Sequence, residues 1–212
     1  MMLEKLACKL GRNDEVPNIE LAEELCRTEE ATGIVEIVGG LKGADKAVAN
    51  DCIKVLYEIG ERKPVLIAGY ANDFISLLHS RNNRLVWGSM TALAKIAELA
   101  SEPIFEKLPV IIAAYEEGSV ITVDNSVSVF AGLCKAGGKY AEKALPVIID
   151  HLAKCRPKEV PQHAERASVC FNSNNAAAFI EVLEGRLPYL VTTGQVRVNK
   201  LLKKLYKLQG DA

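Results

Sequence analysis

Apolar residues recur along this 212-residue chain with two nested periods. The shorter is helical: Ile34, Ile37, Val38 and Leu41 stand at i, i+3, i+4 and i+7, one stripe of an α-helix. The longer is 37 residues. At that offset Ile37 is followed by Phe74, Ile111 and Ile148, Val38 by Ile75, Ile112 and Ile149, and Leu41 by Leu78, Tyr115 and Leu152. Ile34 is followed in the same way by Ala71, Leu108 and Leu145. Upstream in each unit, the sets Val16, Ile53, Met90, Val127 and Ile19, Leu56, Leu93, Phe130 and Ala22, Ile59, Ile96, Leu133 make a second stripe at i, i+3 and i+6. Each unit therefore predicts two amphipathic helices. The motif L-P-V-I-I at residues 108–112 recurs at 145–149. No stretch alternates with period two for long enough to make a strand; residues 120–123 come nearest, and the repeat frame carries them into the start of a helix.

Breakers agree with this frame. Residues 60–63 before Pro64, 100–102 before Pro103, and Gly137 with Gly138 before Tyr140 separate the two helices of a unit, while polar turns at 42–44, 80–83, 117–119 and 156–161 separate units. Pro109 and Pro146 share one position of the frame, which predicts a common start for the second helix because proline is tolerated in a first turn. Beyond Leu152 the frame weakens. Ala164, Ala167 and Cys170 continue a first-helix stripe, the N-S-N-N run at 172–175 favours a turn or N-cap, and Pro188 realigns with Pro146 only at an offset of 42. A last amphipathic helix is expected over 195–209.

A helix pair of this size cannot bury its apolar stripe alone, whereas stacked copies can. The reading is an all-α chain, an α-α superhelix of about five helix pairs with right-handed sense. It is one domain over 1–212, with regular repeats at about 5–156 and an irregular C-terminal cap at 157–212. In the V-W-G-S-M-T-A-L-A-K-I-A run at 86–97 and the P-V-I-I segments, the chain resembles the HEAT and armadillo-like families over roughly residues 16–152. The basic residue usual near the start of the first helix is not regular here, where Trp87 and Asp124 stand. The resemblance implies a concave groove lined by the second helices and used for protein partners. At the non-core positions of those helices stand Glu36, Asp73, Ser76, Glu106, Asp150 and His151, a mildly acidic set that suits a cationic or mixed peptide.

Composition narrows the class. With 49% hydrophobic residues, 26 Lys and Arg against 27 Asp and Glu, and a net charge of −1, the chain reads neither as disordered nor as a generally basic nucleic-acid binder. The charged N-terminus with Glu4, Lys5 and Lys9 does not fit a signal peptide, and no run approaches a bilayer span. Six cysteines without a C-x-x-C pair read as free thiols, so a cytoplasmic protein is expected. Charge is concentrated at the C-terminus: from 186 on, Arg186, Arg197, Lys200, Lys203, Lys204 and Lys207 face Asp211 alone, +5 against −6 for the rest. This predicts a capping helix that buries Val198, Leu201, Leu205 and Leu208 and keeps its cations in water.

Catalytic chemistry finds no constellation. None of the three histidines precedes a Glu, so neither H-E-x-x-H hydrolases nor the His-Glu pairs of HEAT-like iron hydroxylases fit. Residues 132–139 miss the P-loop spacing, with Tyr140 where Ser or Thr would hold magnesium, and there is no G-x-S-x-G elbow. Paired acids such as Glu23 with Glu24, Glu29 with Glu30 and Glu116 with Glu117 read as solvated helix faces. The most metal-like set is His151 with Cys155 at i, i+4, followed by His163 and Cys170; these loose pairs lack the close spacing of zinc sites, so no metal and no cofactor is expected. The expectation is a non-enzymatic scaffold or adaptor for a protein partner, without nucleic-acid binding or a membrane span. The alternative is a DNA-acting protein of the HEAT-like alkylpurine glycosylase type. That resemblance would imply a basic, aromatic-lined face around an acid, whereas the chain has a single Trp, Trp87.

Overall fold

The structure is a computed structural model that describes residues 1–210; Asp211, the acid set against the basic C-terminus above, lies outside the described residues. Among those residues there are twelve α-helices and no strand. They are α1 (Val16–Thr28), α2 (Ala31–Gly40), α3 (Lys46–Arg62), α4 (Ala71–Ser76), α5 (Asn83–Ile96), α6 (Ser101–Glu106), α7 (Leu108–Glu117), α8 (Val120–Ala136), α9 (Gly138–Lys154), α10 (Val160–Ala167), α11 (Ala176–Arg186) and α12 (Thr192–Gly210). Helices α3, α5 and α8 begin at Lys46, Asn83 and Val120, each 37 residues beyond the last, as the frame requires. The chain forms two compact units, Met1–Val129 and the segment from Phe130 onward, with the boundary inside α8.

In the first unit α3 packs against α1, α2 and α5, and α4 packs against α5 and α6. Its core holds Ile37, Ile53, Leu56, Ile59, Phe74, Met90, Leu93, Ile96 and Ile111, all fully buried. The periodic stripes therefore face inward, where burying each such side chain stabilises by roughly 1.5–3 kcal/mol. The frame is looser at some positions: Val16 is exposed, and Ile19, Ile112, Tyr115, Leu145 and Ile149 are half-buried. Helix α3 begins at the N-cap Asp45, whose side chain accepts from the backbone N–H groups of Ala47 and Val48. Asn82 caps α5 in the same way through Arg84 and also donates to Asn50 at 2.7 Å. Gly60, expected to open a breaker, lies inside α3, and Gly60 and Gly88 are sites of close helix approach: a Cβ at Gly88 would meet Ile53 Cγ1 at 2.7 Å.

In the second unit α9 packs against α10 and α11, and α12 packs against α10 and α11. Phe130, Leu133, Ile148, Leu152, Val160, Phe179, Leu183, Val198 and Leu205 form the core. The N-S-N-N run makes the turn before α11. Asn172 Oδ1 accepts from the N–H groups of Asn174 and Asn175, while Asn175 Nδ2 donates to the Cys170 carbonyl at 2.8 Å.

The two framed prolines behave differently. Pro109 sits in the first turn of α7, after a break at Lys107, whereas Pro146 lies inside the continuous α9. The expected common start holds for the first alone. In α9 both Pro146 and Glu142, whose carbonyl loses its i+4 donor, are exposed, and the helix continues through Pro146 to Lys154. Helix α12 buries Val198, Leu202 and Leu205, with Leu201 and Leu208 only half-buried, so its seam is rotated from the predicted one toward Leu202.

Candidate functional site

The six residues predicted to face a groove divide between structural and open roles. Glu36, on α2, accepts a hydrogen bond from the Leu3 N–H at 3.1 Å, and the backbone donors of Met2 and Leu3 hold its carboxyl below the usual range. It fastens the N-terminal turn to the first unit. Asp73, at the start of α4, pairs with Lys42 at 2.7 Å, and the exposed Ser76 hydroxyl donates to the Asp73 carbonyl. Glu106 is exposed at the end of α6. On α9, Asp150 is exposed and paired with Lys154, while its neighbour His151 is only 6% exposed. Adjacent helical positions differ by about 100°, so one meets water and the other the core. His151 is therefore buried, whereas Asp150 faces solvent.

The second unit carries a cleft of about 610 Å³ that the periodic frame did not indicate. Ile149 and Ala153 of α9 form one wall, Ala178, Val182 and Gly185 of α11 the other, and Glu181 and Tyr189 stand at its edge. Arg186, also lining it, donates through both terminal nitrogens to the carbonyls of Ala153 and Cys155. That guanidinium caps the C-terminus of α9, where a cation complements the helix dipole, and ties α9 to α11. Ile149 belongs to the repeat frame, but α11 follows the insertion that shifts it. Only the packing of α11 on α9 shows that the two faces meet.

The first unit places its charges in a network. Lys54, 9% exposed at its side chain, bridges Glu15 at 2.9 Å and Glu58 at 2.7 Å; Arg84 joins Glu15, and Arg62 joins Glu58 and Glu23. Burial by itself would raise the carboxyls of Glu15 and Glu58, but hydrogen bonds from Lys54 with Arg84, and from Lys54 with Arg62, outweigh it and hold both below the usual range. Trp87 packs beside this network, 5.9 Å from the Tyr57 ring and 5.6 Å from the Arg84 guanidinium. Every acid in it is paired, which makes it a structural element of α1, α3 and α5.

The loosely spaced His and Cys residues of the sequence converge in the second unit. A ring nitrogen of His151, a ring nitrogen of His163 and Cys155 Sγ all lie within 4.8 Å of one another. His151 Nε2 and His163 Nδ1 are 2.7 Å apart, and burial pushes the Cys155 thiol up to about 11. Cys170 is not part of the group. Its thiol donates to the Ala167 carbonyl at 3.1 Å, and the neighbouring Cys170 together with burial pushes the Cys134 thiol up.

Among the described residues no helix is long and apolar enough to cross a membrane. No protein-family model and no curated protein matches the chain. Solved structures do. An engineered protein from a structural genomics consortium is 18% identical with a TM-score of 0.63, covering 97% of this chain and 96% of that one. A designed armadillo repeat protein is 15% identical with a TM-score of 0.61, covering 96% and 98%. A second engineered protein from the same consortium, 18% identical at TM-score 0.62, covers 96% of this chain and 58% of its own. The chain has an armadillo/HEAT-like helical-repeat fold.

Proposed function

We propose that this chain is a non-catalytic protein-interaction scaffold, and that the cleft between α9 and α11 receives an amphipathic segment of its partner. The observation that carries this reading is the make-up of the cleft. Its walls are apolar, and three of its residues, Ala153, Ala178 and Gly185, are small enough to let a partner backbone approach closely. A Cβ built on Gly185 meets no atom within 4 Å, so the space beside it is open. Glu181 at its edge and the exposed Asp150 nearby on α9 favour a basic flank on the partner's apolar stripe. Asp73, Ser76 and Glu106 add exposed or half-exposed polar positions on the first unit. The six cysteines, all free, support a reducing compartment such as the cytoplasm.

Gly185→Trp tests this by filling the cleft without removing any buried side chain. The wild-type chain should capture a discrete protein from native extract, and the variant should lose it at an unchanged melting temperature. Equal capture by both would overturn the assignment of the cleft. Retention on heparin that falls steeply with salt would instead point to nucleic acid.

A further inference from the structure

We propose that His151, Cys155 and His163 form a binding site for a zinc-class metal ion, with water in the fourth position, that joins the end of α9 to α10. His151 and Cys155 are one helical turn apart, and Cys155 closes α9 by donating its N–H to the His151 carbonyl at 2.8 Å. Their side chains therefore leave the same face of the helix end. The turn that follows is closed on itself, since the Arg156 N–H and Nε both donate to the Glu159 carboxylate, at 3.2 and 2.8 Å. That closure returns the chain into α10 within a few residues and carries His163 back over His151. Arg186 holds the Cys155 carbonyl from the far side. Three potential ligands from two helices are thus brought together by the surrounding backbone contacts, and the Cys155 thiol donates to the Leu152 carbonyl at 3.9 Å, a long contact that metal binding would replace.

The donor set fits the ion. Two imidazoles and a thiolate are the N/S ligands of zinc, and three protein ligands with one solvent position make a recurrent zinc site. With bonds of about 2.0–2.3 Å, tetrahedral ligands lie roughly 3.3–3.6 Å apart. The 2.7 Å between the imidazole nitrogens must open by somewhat more than half an ångström, and the 4.8 Å limit must close by about one; rotation about side-chain bonds supplies both. Burial adds a second observation. His151 is 6% and His163 1% exposed, with ring centroids 4.7 Å apart, whereas Cys155 is half-exposed and leaves a path for the ion and its water. On binding, each imidazole presents a lone pair and carries its hydrogen on the other ring nitrogen. The Cys155 S–H bond breaks, sulfur bonds to the metal, and one proton passes to solvent. No electron is transferred.

The test uses the full chain without an affinity tag that binds metal, first stripped with chelator and then titrated with cobalt(II). The expected result is one ion per chain with visible bands of tetrahedral intensity, a thiolate-to-cobalt charge-transfer band, and displacement by zinc. Cys155→Ser, at a half-exposed position that tolerates a polar atom, should fold, lose the charge-transfer band and bind zinc more weakly by at least the roughly 10–100-fold that loss of an outer-shell partner costs. Cys26→Ser, on the first unit, should behave as wild type. Zinc should also raise the melting temperature of the wild type and leave that of Cys155→Ser nearly unchanged. Absence of the charge-transfer band in the wild type, or equal zinc affinity in Cys155→Ser, would overturn the site and leave the two imidazoles as a buried hydrogen-bonded pair.

Discussion

At single positions, the equivalence of repeats makes sharp demands. Ile111 in the first unit and Ile148 in the second occupy the same frame position and are both fully buried. Truncating either to Ala should cost roughly 2–5 kcal/mol by lost transfer energy and residual cavity, read from urea unfolding. The glycines make the opposite demand. At Gly88 an added methyl would meet Ile53 Cγ1 at 2.7 Å, and that β-branched side chain has little rotamer freedom with which to retreat. Gly88→Ala should therefore destabilise by about 1–3 kcal/mol, against the usual gain of Ala in a helix. Combined with Ile53→Ala it should cost less than the sum of the two single changes, and strict additivity in the double-mutant cycle would show that the contact is not the cause.

At the scale of elements, ion pairs and caps tie the helices together. Glu15 and Glu58 are held below their usual range by Lys54, Arg84 and Arg62. A carboxyl depressed in the folded state adds stability that is fully present above its unfolded value, near pH 4.3, and is lost as pH falls through the lower folded values. Acid unfolding of the first unit should therefore steepen below about pH 4.5, and Glu58→Gln should flatten that limb. If the pH profile of the variant overlaid that of the wild type, the network would carry no linkage. On the second unit, α12 separates burial from charge. Leu202→Ser with Leu205→Ser should cost roughly 3–6 kcal/mol through lost burial. Replacing Lys200, Lys203 and Lys207, all exposed, with Gln should change stability by within about 0.5 kcal/mol per site. Hydrogen exchange should show α12 opening first in the leucine variant, because each element of a repeat array is held by its immediate neighbours.

For the whole molecule, the helical class, the 37-residue frame and the inward faces of α3, α5 and α8 were legible in the amino-acid order. They were so because a helix repeats its buried side every 3.6 residues, and Ile37, Phe74, Ile111 and Ile148 mark that side without reference to anything distant. The polar turn at residues 172–175 was legible for the same local reason. Hydrophobicity has no direction, however, so a stripe tells that a face is covered and not by what. Only the packing of α11 on α9 creates the cleft. Only the lateral fit of α12 selects Leu202 over Leu201, two residues that the pattern presents about equally. Whether a framed proline breaks a helix was likewise settled outside the frame, by the Lys107 break before Pro109 and the solvent beside Pro146. Sequence spacing counted seven residues between Cys155 and His163 and took the pair as loose. The turn closed by Arg156 and Glu159 brings the two within reach, because separation along the chain sets the longest possible distance between two side chains, and tertiary packing sets the actual one.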